Sequence, residues 1–376
     1  FELLLFMEGP ASESVEEMAS IRRTLVQGGA DEVFAHETPG GLMLQATAGV
    51  SFSDELLRLL QEEDGVKEVR TLNPVLPVLS KKGMSVPFLT CEEMVAYNED
   101  RDLELWELAV HYEVGRGGIS HAEVLKEMTR IVEIMETSVQ EGLAGTEYSD
   151  RILGPQAGAF KSQLENGRLL DGGILNQIIP SVTALMEVKS SMGVIVAAPT
   201  AGSCGALPGA CIGAAQAMGL DREYVTRGML AAGIIGVFIA ARSTFAAEVC
   251  GCQAECGAGS GMAAAALVTL AGGTTGQAIA AASMALQNTL GMICDPVANR
   301  VEVPCLGRNV LAASNALACA NMALAGFDAV VPLDEVIATM DSVGKSLPRE
   351  LRCTALGGLS VTPTARRIED ELKSST

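Results

Sequence analysis

The chain has 376 residues, a length that suits two or three domains, and 48% of them are hydrophobic, enough for a substantial core. Its formal net charge of −20 excludes partners that need clustered Lys and Arg, namely nucleic acid and anionic membrane surfaces. Aromatics are only 4%, so Ala, Gly, Val, Leu and Met must fill the interior, and helices built from them can approach closely.

The first residue is Phe rather than Met, and the chain is therefore expected to be a fragment or a processed product. Its opening stretch, "FELLLF", is too short for a secretory signal and has no basic flank. Ser14 to Gly29 has helical spacing and a Gly stop. Asp31 to Val50 reads as a strand, a turn at Pro39-Gly40-Gly41 and a second strand. Ser53 to Val66 is a helix capped by Ser or Asp, and the residues after it are strand-like until Pro74. Residues 1–85 thus form a small α+β module, and Leu79 to Phe88, with its Gly, Pro and paired Lys, reads as a linker.

Residues 86–376 read as a mainly α domain. Cys91 to Gly115 and Ser120 to Gly145 are amphipathic helices with acidic outer faces. From Gly154 the charges thin out. Residues 174–199, 223–243, 260–273, 274–293 and 309–326 read as helices apolar nearly all round, which belong inside a large bundle. Gly228 to Ala241 and Gly261 to Gly273 are too short and too rich in Gly and Ala for spanning helices, and no Lys/Arg-rich loops flank them. The tail, 333–347 and 364–375, is ordinary amphipathic helix.

Eight of the ten cysteines crowd between Cys204 and Cys319. No export signal precedes them, so a reducing cytoplasm is expected, where clustered thiols serve metals or catalysis more often than disulfides. Three polar, Gly/Pro-rich stretches end the apolar helices: "APTAGSCGALPG" (Ala198 to Gly209), "EVCGCQAECGAGSG" (Glu248 to Gly261) and "CDPVANRVEVPCLGRN" (Cys294 to Asn309). Between Cys256 and Cys294 there is no charged residue at all. Polar loops against such helices need a ligand to satisfy them. Four closed thiolates would suit zinc or an electron-transfer cluster, whereas three leave a Lewis-acidic iron open.

These stretches resemble those of the iron–sulfur-dependent L-serine dehydratases. "GCQAE", "CDPV" and "VPCLGRN" occur in that family's order and at its separations, from roughly Pro74 to the C-terminal helix. The resemblance implies that Cys252, Cys294 and Cys305 bind a [4Fe–4S] cluster with one open iron, which acts as a Lewis acid in converting L-serine to pyruvate and ammonia without pyridoxal phosphate. It places Thr200, Gly202 and Ser203 in the substrate loop. It also makes residues 1–85 the remnant of a beta or regulatory domain and 86–376 the catalytic domain. The family's Ser-Ser-Ser-His-Thr loop is absent from these residues, so an upstream beta-domain segment is expected as a partner, together with an amino-acid substrate and a second copy in a homodimer.

Beside this stand the individual residues. Glu248 and Glu255 are catalytic candidates, or ion-pair partners of Arg242 and Arg308. Arg308 is a candidate for the substrate carboxylate, and Asn309 reads as a cap. Cys250 and Cys256 flank the first ligand, while Cys91, Cys204, Cys211, Cys319 and Cys353 read as packing residues. His36, His111 and His121 have no metal spacing. The rivals are an L-cysteine desulfidase of the same chemistry, a structural zinc protein using Cys252, Cys256, Cys294 and Cys305, and a membrane carrier.

Overall fold

The computed structural model describes residues 1–7, 15–38, 41–72 and 85–374, and among them fifteen α-helices and one four-stranded antiparallel sheet. The chain divides into two compact units, Phe1–Leu79 and Ser80–Thr376.

In the first unit β1 (Glu2–Met7) buries Leu3, Leu5 and Met7 on one side, the two-residue period of a half-covered strand. It is followed by α1 (Val15–Gln27), β2 (Glu32–Thr38), β3 (Gly41–Thr47), α2 (Asp54–Gln61) and β4 (Val66–Leu72). The sheet order is β2-β3-β1-β4. Ile21 and Leu25 of α1 and Leu56 and Leu60 of α2 share one core with Leu3, Leu5, Leu42 and Leu44. Ser53 caps α2 by accepting from the Leu56 N–H (3.2 Å). The opening hexapeptide, read from sequence only as no signal peptide, supplies an inner strand. Pro39 and Gly40 of the expected turn, and residues 79–84 of the expected linker, lie outside the described residues.

The second unit begins with α3 (Cys91–Asn98) and α4 (Leu105–Gly117). The sequence suggested one helix here. Asn98 divides it, since its side chain bonds both the N–H and the carbonyl of Leu103 (2.9 and 3.0 Å), the local competition with helix that short amides offer. Next come α5 (His121–Ala144), α6 (Ala157–Glu165) and α7 (Leu175–Ser190). The helix expected over 174–199 stops at Ser190, and 192–199 run on as an irregular strap. Then follow α8 (Ala206–Met218), α9 (Arg222–Arg242), the short α10 (Ala247–Cys250), α11 (Ala258–Leu270), α12 (Thr275–Gln287), α13 (Cys305–Leu324), α14 (Leu333–Ser346) and α15 (Pro363–Ser374).

The core is made by α11. All its residues but Thr269 are buried, and α8, α9, α12 and α13 surround it. Glycines let backbones meet: a Cβ on Gly142 would lie 2.4 Å from Ala184 O, and one on Gly213 2.6 Å from Ile178 Cα, so α7 is gripped between α5 and α8. By length and composition α9 is apolar enough to cross a membrane, yet 67% of its apolar window is buried within this unit, against α4, α5 and α11.

Candidate metal centre

The first arm of the centre is the link between α10 and α11. Gly251 turns the chain at φ +72, and a Cβ there would meet Met292 O at 2.8 Å and Leu347 Cδ1 at 2.7 Å, so glycine is required. Cys252 follows, and Gln253–Gly257 make a single π-helical turn, a device that re-aims side chains at functional sites. The buried Gln253 locks it: its Nε2 donates to Met340 O (2.7 Å) and its Oε1 accepts from the Gly291 N–H (2.8 Å).

The second arm is the loop from Cys294, stitched to a segment that sequence reading left out. Cys294 N–H donates to Leu351 O and Cys353 N–H donates to Cys294 O, both at 2.9 Å. Asp295 accepts from the Leu359 N–H (2.7 Å) and from Arg308 Nη2 (2.7 Å). Ser360 Oγ donates to Pro296 O (2.8 Å). Residues 349–361 therefore close over the "CDPV" loop, with Gly358 against Asp295, where a Cβ would stand 2.3 Å from Oδ2.

The third arm is the loop before α8. Thr200 Oγ1 donates to Glu255 Oε1 (2.8 Å) and accepts from the Ser203 N–H (3.2 Å), with Ser203 Oγ 3.0 Å away. A Cβ on Gly202 would lie 2.8 Å from Glu255 Oε1, so glycine lets the loop reach that carboxylate. Asn309, expected as a cap, is instead a fully buried clamp inside α13. It accepts from the N–H groups of Gly205 and Ala206 (3.2 and 2.9 Å) and donates to Gly202 O and Cys305 O (3.0 and 2.9 Å). Asn309→Ala removes these four bonds, and we expect a loss of about 2–4 kcal/mol in denaturant unfolding of the metal-free chain.

The sulfurs and carboxylates converge. One donor atom each from Cys252, Glu255 and Cys294 lies within 4.8 Å of the others. Hydrogen bonds from the Cys256 and Cys294 thiols hold Cys252 well below the usual thiol range. Cys294 bonds Cys353 as well as Cys252. Cys305 opens α13 beside Met186 and Cys204; burial pushes its thiol up to about 12, and the neighbouring Cys252 charge adds to this. Burial also raises the Glu255 carboxyl to about 7, against the Thr200 hydrogen bond.

The structure thus brings together Cys252, Cys294, Glu255, Thr200, Gly202 and Ser203, with Cys305 alongside. It adds Cys256 and the half-buried Cys353, which was read as packing. Glu248 is exposed on α10. The ion pairs weighed for the two glutamates go elsewhere, Arg308 to Asp295 and Arg242 to Asp334. Cys250 faces Asp341 O. His36 bonds Gln45, and His111 bonds Tyr97 with His121 stacked edge-on beside it. Residues 349–361 carried only a "GG" and a thiol as signal, and nothing in their spacing tied them to Cys294.

The donor set fits a thiolate-bound metal. All ten cysteines are free, and Arg308 Nη1 is buried without a hydrogen-bond partner among the described residues. Fold and site together define a helical-bundle protein whose buried thiols and one carboxylate converge on a candidate metal centre. The serine dehydratase alpha chain family matches residues 92–360, and the chain belongs to that family. It is 36% identical over 285 residues to the probable L-serine dehydratase, alpha chain, of Bacillus subtilis (strain 168), covering 76% of this chain and 95% of that one. It is 36% identical over 280 residues to the L-serine dehydratase, alpha chain, of Peptoniphilus asaccharolyticus, covering 74% and 96%. L-serine dehydratase 1 of Escherichia coli (strain K12) is 31% identical over 282 residues, 73% of this chain and 62% of that longer protein.

Proposed function

We propose that this chain is the catalytic part of an L-serine dehydratase that converts L-serine to pyruvate and ammonia, with Cys252, Cys294 and Cys305 holding a [4Fe–4S] cluster. The observation that carries the reading is the meeting of Cys252, Cys294 and Glu255 within 4.8 Å beside the Thr200 loop. When bound through three thiolates, such a cluster supplies a Lewis acid for the substrate's hydroxyl and carboxylate. Glu255 Oε takes the α-proton, at a carboxyl that burial keeps close to the neutral range suited to a general base. Thr200 fixes that carboxylate's orientation through its 2.8 Å hydrogen bond. The free Nη1 of Arg308 is the donor for the substrate carboxylate, while Asp295 holds the other end of the guanidinium. Gly202 and Ser203 line the approach. Two relatives are named alpha chains, and a beta chain or segment is proposed to complete the substrate wall.

The test is anaerobic purification, followed by iron and sulfide analysis and by pyruvate assays with L-serine and L-cysteine. The expected result is a brown protein that bleaches in air and forms pyruvate from L-serine. Pyruvate from L-cysteine alone would make the chain a desulfidase, and colourless protein holding zinc would end the iron–sulfur reading.

A further inference from the structure

Lys189 is a cation that the proposed reaction does not use. It sits in the last turn of α7, one turn after Met186, whose Sδ touches Cys204 Sγ (3.8 Å). Its Nζ donates to Val301 O (2.5 Å), and Val301 packs in the same apolar group as Met186, Cys204 and Cys305. An ammonium has three donors, and among the described residues this one bond engages it. Among the described residues no carboxylate pairs with it.

Each nearby anion has another task. Glu302 accepts the N–H groups of Ile152 and Leu153 (3.0 and 2.9 Å), and Glu255 accepts from Thr200. Burial keeps the Cys204 thiol neutral, raised to about 12. Burial likewise lowers the Lys189 ammonium below its ordinary range, with Cys204, Cys305, Glu302 and Glu255 opposing that shift. Lys189 is half-buried, the two carboxylates near it are not paired to it, and Cys305 is the nearby thiol that a bound metal would turn into a thiolate.

We infer that Lys189 is the countercharge of the filled centre, acting through Cys305. The inference rests on the cluster reading above. Three thiolates around an iron–sulfur core of charge 2+ leave the filled centre anionic. Arg308 is already paired with Asp295, whereas Lys189 makes no ion pair among the described residues. A fixed cation beside a thiolate ligand favours binding of the anionic centre. It favours the reduced, more negative state still more, and so raises the reduction potential. The Nζ bond to Val301 O also ties down the loop that leads into Cys305, so Lys189 is a positioning residue and not a catalytic one.

Two variants separate charge from tether. Lys189→Gln keeps a donor for Val301 O and removes the charge, and Lys189→Arg keeps the charge. Each is reconstituted anaerobically. Iron loss to a chelator and the midpoint potential of the cluster are then measured without substrate, and metal-free folding is followed by circular dichroism. The expected result is a several-fold faster iron loss and a more negative potential in Lys189→Gln, with Lys189→Arg close to the parent. The inference is overturned by parental values for both in Lys189→Gln. Equal defects in the two variants would mark a packing role and overturn it too. So would a raised KM for L-serine with an unchanged potential, which would assign the ammonium to the substrate carboxylate. Parent protein that holds no iron or sulfide is a distinct result; it removes the cluster reading and this inference with it.

Discussion

Cys294→Ala is expected to leave the anaerobically prepared protein without a stable iron–sulfur centre and to lower pyruvate formation on the order of 10³-fold or more, because a bound metal supplies several kcal/mol of charge stabilisation. The fold should survive. Two of the bonds that hold Cys294 to residues 349–361 are made by its backbone, to Leu351 O and from the Cys353 N–H; alanine keeps both and loses only the thiol's bond to Cys353. Cys252→Ala and Cys305→Ala should behave alike. Cys256→Ala should retain iron. Its sulfur is fully enclosed, 3.7 Å from Asn309 Nδ2, and it serves Cys252 as a hydrogen-bond donor. A four-thiol zinc site of Cys252, Cys256, Cys294 and Cys305 demands the opposite for Cys256, so iron and sulfide analysis of this variant separates the two arrangements. Loss of iron from Cys256→Ala together with retention in Cys305→Ala would overturn the assignment.

Much of this was legible in the sequence because it rests on local pattern. The uncharged run after Cys256 could only be buried helix, and α11 is buried along nearly its whole length. The glycines and prolines around Cys252, Cys294 and Cys305 marked loops at helix ends, and those loops converge. What stayed hidden depends on distant chain returning. Apart from the Cys353 thiol, residues 349–361 reach Cys294 through backbone bonds that any sequence can make, so no side-chain spacing announced them. Asn309 looked like a cap because it follows "LGR" at an apparent helix start; α13 in fact begins at Cys305, which turns Asn309 inward. The ion pairs of Arg308 and Arg242 were misjudged for the same reason. Asp295 and Asp334 are their partners, and the pairing of Arg242 with Asp334 spans far too much chain for spacing to reveal. The hexapeptide "FELLLF" is an apolar run with no alternation of its own, so its two-residue burial period appears only in the folded sheet.

Glu255→Gln is the substitution that tests chemistry apart from assembly. Glutamine keeps the shape and still accepts from Thr200 Oγ1, so the loop before α8 should stay in place. It cannot take a proton from carbon. Pyruvate formation should therefore fall roughly 10²–10⁴-fold, the contribution of a positioned general base, while iron and sulfide contents match the parent. The same substitution at Glu248, which is exposed on α10, should leave turnover within a few-fold of the parent. Thr200→Ala removes the hydrogen bond that orients Oε1 but leaves the carboxylate, so its loss should be smaller than that of Glu255→Gln. Iron content is the control that decides between roles. Glu255 also stands within 4.8 Å of the Cys252 and Cys294 sulfurs, close enough to be a ligand. If Glu255→Gln loses iron in step with activity, the carboxylate holds the metal and the base lies elsewhere; if iron stays and turnover collapses, the proton goes to Glu255.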